Sequence, residues 1–146
     1  MATTNTYLNF NGNCEEAFTF YKSVFGGDFT HIGLFRDIPD SDEYKVPEGD
    51  KAKVMHVSLP IGASVLMGSD NGEQHQSSFV EGNNFSVSIN ADSKEEADQL
   101  FSGLSAGGKI TMPIADTFWG AYFGMFTDKF GINWMVNYDD PLKIQH

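Results

Sequence analysis

A chain of 146 residues with 40% hydrophobic side chains and 13 Phe can fill one core or two small, closely packed ones. A net charge of −11, with only 9 Lys and Arg and no dense basic cluster, argues against nucleic acid as a partner and serves solubility. No apolar run approaches the roughly 20 residues that span a bilayer. The opening MATTNT lacks the basic and apolar regions of a signal peptide, so a cytoplasmic protein without a membrane partner is expected.

Tyr7 to Gly27 combines a strand, a turn and a capped helix. Leu8 and Phe10 alternate with Asn9 and Asn11, as in a half-buried strand, and Gly12 then admits a turn. Asn13 and Glu16 have the spacing of a capping box. Ala17, Phe20, Tyr21 and Val24 follow at helical steps and predict one buried stripe, closed at Gly26 or Gly27. Cys14 is the single cysteine, which excludes an internal disulfide and a multi-cysteine zinc site. Its neighbours Glu15 and Glu16 oppose thiolate formation, so a packing role is favoured over catalysis.

Phe29 to Arg36 reads as a strand containing His31, and Asp37 to Lys51 as an exposed acidic loop broken by two prolines. Lys53 to Leu59 and Ala63 to Met67 form a hairpin around Pro60, Ile61 and Gly62. Gly68 to Asn84 is polar and glycine-rich, with the features of a linker that leaves His75 solvated. Phe85 to Asn90 is again a strand, and Ser93 to Glu96 a second capping box before a helix with Ala97, Leu100, Phe101 and Leu104 on one stripe.

The second half thus repeats the first. An offset of 80 residues (97 − 17) pairs Ala17, Phe20, Tyr21, Val24 and Gly27 with Ala97, Leu100, Phe101, Leu104 and Gly107. An offset of 79 (87 − 8) pairs Leu8 and Phe10 with Val87 and Ile89. An offset of 69 (131 − 62) pairs Gly62 with Gly131, Val65 with Trp134, and His56 and Ser58 with Met125 and Thr127. Agreement of strand, capping box, stripe and hairpin in one order predicts two copies of a β-α-β-β-β unit. The expected fold is α+β, a curved, cup-shaped mixed sheet with helices outside. Its modules cover about 1–68 and 85–146, with a linker at about 69–84.

The blocks YLNFNGNCEEAFTFYKSVFGG, VMHVSLPIGASVLMGSD and WGAYFGMFTDKFGINWMVN resemble the PhnB-like branch of the vicinal oxygen chelate superfamily, which includes glyoxalase I and bleomycin-resistance proteins. The resemblance implies a homodimer with a cup-shaped site for a small molecule. In metal-dependent members it also implies a divalent ion held by His, Gln or Glu on the first and last strands of each module, acting as a Lewis acid. Carried over by spacing, those positions fall at Thr6, Leu66, Phe85 and Met135, which do not make a donor set for such an ion. A shift of one residue brings in Asn5 or Asn133 without completing four ligands. The usual metal is therefore expected to be missing, with no other cofactor.

His56 shares a strand face with Ser58 and is the candidate general acid or base, although a core histidine is the plainer reading. The expected ligand pocket comprises His56, Ser58, Trp119, Tyr122, Met125 and Trp134. Three functions follow. The first is a metal-free, small-molecule binding protein like those conferring bleomycin resistance. The second is a lyase, isomerase or dioxygenase using His56 with a divalent metal held in an unfamiliar way, and the third is an interaction module working through the acidic 37–51 loop. Some proteins of this branch bear a name suggesting ubiquinone-pathway methyl transfer. A Rossmann-type methyltransferase needs a doubly wound parallel sheet and a glycine-rich first turn, and this order of elements supplies neither.

Overall fold

The computed structural model describes residues 1–41 and 43–142, so Asp42 of the acidic loop and 143–146 of the second expected module lie outside the described residues. The chain divides into two compact units, Met1–Val80 and Glu81–His146. The first contains β1 (Thr6–Phe10), α1 (Cys14–Phe25), β2 (His31–Leu34), β3 (Val54–Ile61) and β4 (Ser64–Asp70). The second repeats the order with β5 (Val87–Asn90), α2 (Lys94–Ser105), β6 (Lys109–Asp116), β7 (Ala121–Thr127) and β8 (Asn133–Asp139). Each unit is α+β, with a four-stranded mixed sheet and one helix. The strand orders are β1-β4-β3-β2 and β5-β8-β7-β6, with the first strand of each unit parallel to the last.

In the first unit, Leu8, Phe10, Val57, Leu59 and Leu66 are buried on the sheet face that meets α1, which contributes Cys14, Ala17, Phe18 and Tyr21. Phe20 and Val24, expected in that stripe, are only half-buried. The helix is rotated so that the Phe18 ring lies over Gly68; a Cβ added there would stand 2.5 Å from Phe18 Cε1. The second unit uses the same device, because a Cβ on Gly124 would meet the Phe101 ring at 2.7 Å. In each case a strand glycine gives an aromatic ring of the helix direct access to the sheet.

The two helices start differently. Ser93 caps α2 as expected, accepting from the Glu96 amide at 3.0 Å, while Glu96 reaches back to the Asp92 amide at 2.9 Å. Asn13 makes no side-chain cap bond to α1. Asp70, buried at the end of β4, replaces it: Oδ1 accepts from the Gly12 and Cys14 amides, each at 2.9 Å, and Oδ2 from the Val54 amide at 2.9 Å. A carboxylate brought in by the sheet also meets the positive end of the helix dipole, which the neutral Asn13 amide could not match. Burial, Asp70 and Glu15 raise the Cys14 thiol far above its ordinary range, which leaves it an inert core group.

The acidic loop is held at two points. Val46 is buried, and buried Asp50 accepts from Lys53 Nζ at 2.8 Å and from the Glu73 amide at 3.0 Å. Strand β4 continues to Asp70, and Glu73–Ser78 forms a 3-10 helix, so part of the expected linker is regular structure. The first hairpin turns tightly, with Ile61 pairing with Ser64 and Gly62 at φ 56. The second spans Thr127 to Asn133 around buried Asp128, which accepts from the Phe130 and Ile132 amides.

The longer turn alters the internal repeat. Two residues, Gly62 and Ala63, lie between the paired Ile61 and Ser64 of the first hairpin, and five, 128–132, between the paired Thr127 and Asn133 of the second. With buried Val57 and Phe126 matched at 69 (126 − 57), their partners Gly68 and Trp134 match at 66 (134 − 68), so a single offset of 69 misplaces the last strand by three residues, and an odd slip exchanges the faces of a strand.

Candidate functional site

The face of the first sheet opposite α1 is polar. Register places Tyr7 beside Met67, Met67 beside Ser58, and Ser58 beside His31, in one row across all four strands. His56 lies one step from this row, opposite Gly33. A bulge sets its direction: Gly33 pairs with His56 and Leu34 with Val54, so Met55 is unpaired. Met55 and His56 are both half-buried between buried Val54 and Val57, so the extra residue resets the alternation that carries His56 and Ser58 to this face.

His56 is engaged at both ring nitrogens. Nδ1 is 3.3 Å from the Tyr7 hydroxyl and Nε2 is 3.0 Å from Ser58 Oγ. A neutral imidazole donates from one nitrogen and accepts at the other, and each hydroxyl can take the complementary role. The Tyr7 and His56 rings stack with centroids 5.8 Å apart, and the His31 ring tilts against His56 at 5.6 Å. This geometry holds His56 in a fixed orientation next to a second imidazole. It can accept or deliver a proton, or hydrogen-bond an oxygen-bearing ligand.

The expected pocket residues of the second unit do not share one face. Met125 stands opposite Met112 and Met135, on the face away from α2. Trp119 is 48% exposed in the turn before β7, with its ring 5.0 Å from Phe118 and 6.3 Å from Phe123. Trp134 corrects the expectation. It is 1% exposed on the helix side, and its Nε1 donates to Asp128 Oδ2 at 2.8 Å, so it is core. Tyr122 also turns towards α2, where its hydroxyl donates to Asp98 and Lys94 Nζ stands 4.5 Å from its ring centroid. The bond to Asp98, burial and the charges of Asp98 and Asp116 push the Tyr122 phenol up to about 12. The Trp134 correction follows from the longer second turn, and that of Tyr122 from alternation along β7, where it stands three residues from Met125 and so takes the opposite face.

Tyr7 is the site residue that the sequence reading passed over. Its alternation with Leu8 placed it on the polar face, but only the parallel pairing of β1 with β4 carries its ring across to His56.

The positions carried over for a divalent ion do not fit one. Thr6 and Leu66 pair with each other, and Leu66 is buried on the helix side; Phe85 precedes β5, and Met135 offers a thioether alone. Among the described residues, no group of three or more His, Cys, Asp or Glu side chains could hold an ion. Among these residues, too, no helix is long and apolar enough to cross a membrane.

Paired β-α-β-β-β units of this order define the glyoxalase-like class of the vicinal oxygen chelate fold. Residues 2–137 match the family described as 3-demethylubiquinone-9 3-methyltransferase, and the chain belongs to this family, the PhnB-like branch of that superfamily. It is 32% identical to Protein YjdN of Escherichia coli over 137 residues, covering 90% of this chain and 91% of that protein. It is similar to the crystal structure of PA1353 from Pseudomonas aeruginosa, with a TM-score of 0.80, 42% identity, and 95% and 98% of the two chains covered. The PhnB protein from Bacillus cereus follows at TM-score 0.73 and 25% identity, with 94% and 99% covered. A glyoxalase/bleomycin resistance protein/dioxygenase family enzyme from Burkholderia phytofirmans shares the fold at TM-score 0.59 and 19% identity, with 92% and 98% covered.

Proposed function

We propose that this chain is a small-molecule binding protein of the glyoxalase and bleomycin-resistance type, acting without the divalent ion of its metal-dependent relatives. The observation that carries this reading is the row Tyr7, Met67, Ser58 and His31 with His56 beside it, which joins oriented polar groups to an apolar thioether. Such a mixture suits a ligand with an apolar body and a polar edge. In the second unit, Met125 and Trp119 contribute apolar surface. The working form is a homodimer in the cytoplasm, with neither nucleic acid nor membrane as partner.

Native mass spectrometry joined to metal analysis tests this reading. A dimer mass with a co-purifying small molecule and no stoichiometric metal is expected. Stoichiometric divalent metal in protein purified without chelator overturns it.

A second reading, an enzyme using His56 as general acid or base, is favoured by the contacts of both its ring nitrogens with hydroxyls. If a lyase or isomerase activity is found, His56→Ala should lower kcat by 100-fold or more, in line with the roughly 10²–10⁴-fold contribution of a positioned proton-transfer group. An activity that survives the substitution removes His56 from the chemistry. Methyl transfer of the Rossmann type has no framework among the described residues, since both hairpins make the sheets mixed and no doubly wound parallel sheet forms there.

A further inference from the structure

The first sheet is electrostatically unlike the chain that contains it. The protein has 20 Asp and Glu, yet β1, β2, β3 and β4 together carry one carboxylate, Asp70, and no Lys or Arg. Asp70 is turned to the helix side and occupied by three backbone amides. Asp37, just beyond β2, accepts from the Leu34 amide at 2.8 Å. The titratable groups on the polar face are therefore Tyr7 from β1, His31 from β2 and His56 from β3, while β4 adds Met67 and Ser69.

The two imidazoles stand 5.6 Å apart with no carboxylate from these strands between them. An anion seated against them meets no carboxylate of these strands, and the Tyr7 and Ser58 hydroxyls can donate to its oxygens.

Building on the ligand-binding reading above, we infer that His31, His56, Tyr7 and Ser58 form an oxyanion subsite, and that the ligand carries a carboxylate or phosphate group whose binding is coupled to imidazole protonation. Met67, in the same row, faces the ligand's apolar body.

Three probes of one shape test this in the whole protein: benzoate, phenyl phosphate and the neutral benzamide, at constant ionic strength in chloride. Binding is followed on the imidazole resonances of His31 and His56, with His75 in the exposed Glu73–Ser78 helix as internal control. At pH 6, benzoate or phenyl phosphate should move the His31 and His56 signals, leave His75 in place, and bind at least tenfold more tightly than benzamide. Affinity for the anion should fall roughly tenfold or more from pH 6 to pH 8, since one imidazolium is required. Preference for benzoate assigns a carboxylate ligand and preference for phenyl phosphate a phosphate monoester; either supports the subsite. His56→Gln and His31→Gln, which keep a hydrogen-bonding group without the charge, should each flatten the pH dependence, and His75→Gln should not.

Benzamide binding as tightly as the anions, or anion affinity unchanged between pH 6 and pH 8, overturns the oxyanion subsite and leaves the ligand-binding reading standing. If none of the three probes moves the His31 and His56 signals, both fall.

Discussion

Replacing Asp70 by Ala should destabilise the first unit more than any change at the helix cap predicted from the sequence. Its carboxylate satisfies three amides, two at the start of α1 and one at the start of β3. Each buried amide left without a partner costs about 1–3 kcal/mol, and loss of the charge at the helix N-terminus adds about 0.5–1 kcal/mol. These effects overlap, so the expected total is about 3–5 kcal/mol, equivalent to a Tm lower by roughly 10 °C in a chain of this size. Asp70→Asn retains an oxygen for Gly12 and Cys14 but turns an NH2 group towards the Val54 amide, and should cost about 2 kcal/mol. Asn13→Ala should remain within about 0.5 kcal/mol of the parent, whereas Ser93→Ala should cost about 1 kcal/mol. Urea unfolding followed by far-ultraviolet circular dichroism gives the free energies, and hydrogen exchange at Gly12, Cys14 and Val54 locates the loss. A cost below 1 kcal/mol for Asp70→Ala, with a larger one for Asn13→Ala, would refute the assignment of Asp70 as the cap of α1.

Gly124→Ala should destabilise by about 1–3 kcal/mol, because its Cβ would stand 2.8 Å from the Ile114 backbone as well as against Phe101; a thermal melt indistinguishable from the parent contradicts this packing. Spectrophotometric titration should find one tyrosine ionising near pH 12, and Asp98→Asn should bring it down. Because the folded-state value is raised, the stability that Tyr122 contributes is complete below the unfolded value near 10 and is lost as pH rises through 12; unchanged unfolding free energy over that interval would exclude the linkage. At Asp50, burial raises the carboxyl pKa, but the Glu73 amide and Lys53 outweigh it and leave the value lowered. Its contribution is therefore present above the unfolded carboxylate value and lost as pH falls through the lower folded one, so Asp50→Asn should reduce the acid dependence of unfolding. Acid titrations that superimpose for the two proteins would count against this latch.

Much of the fold was legible because it is written in local pattern. Strand alternation at Leu8 and Phe10, the Ser93 and Glu96 cap, and the stripe Ala97, Leu100, Phe101 and Leu104 all appear as expected. Half of the site was legible for the same reason, since His56 and Ser58 are two residues apart on one strand. Trp134 was misassigned because three extra residues in the second hairpin turn exchange the faces of the last strand, and Tyr122 because it stands three residues from Met125 on β7 and so takes the opposite face, where it meets Asp98.

The sequence by itself determined the elements, their order and their duplication, because hydrophobic period and turn chemistry act over a few residues. Tertiary structure alone decided which carboxylate caps α1, since Asp70 comes from 56 residues beyond Cys14. It also decided that Tyr7, Met67, Ser58 and His31 lie in one row and that a bulge at Met55 directs His56 towards them. Register between distant strands has no local signature, and a slip of one residue exchanges the two faces of a sheet.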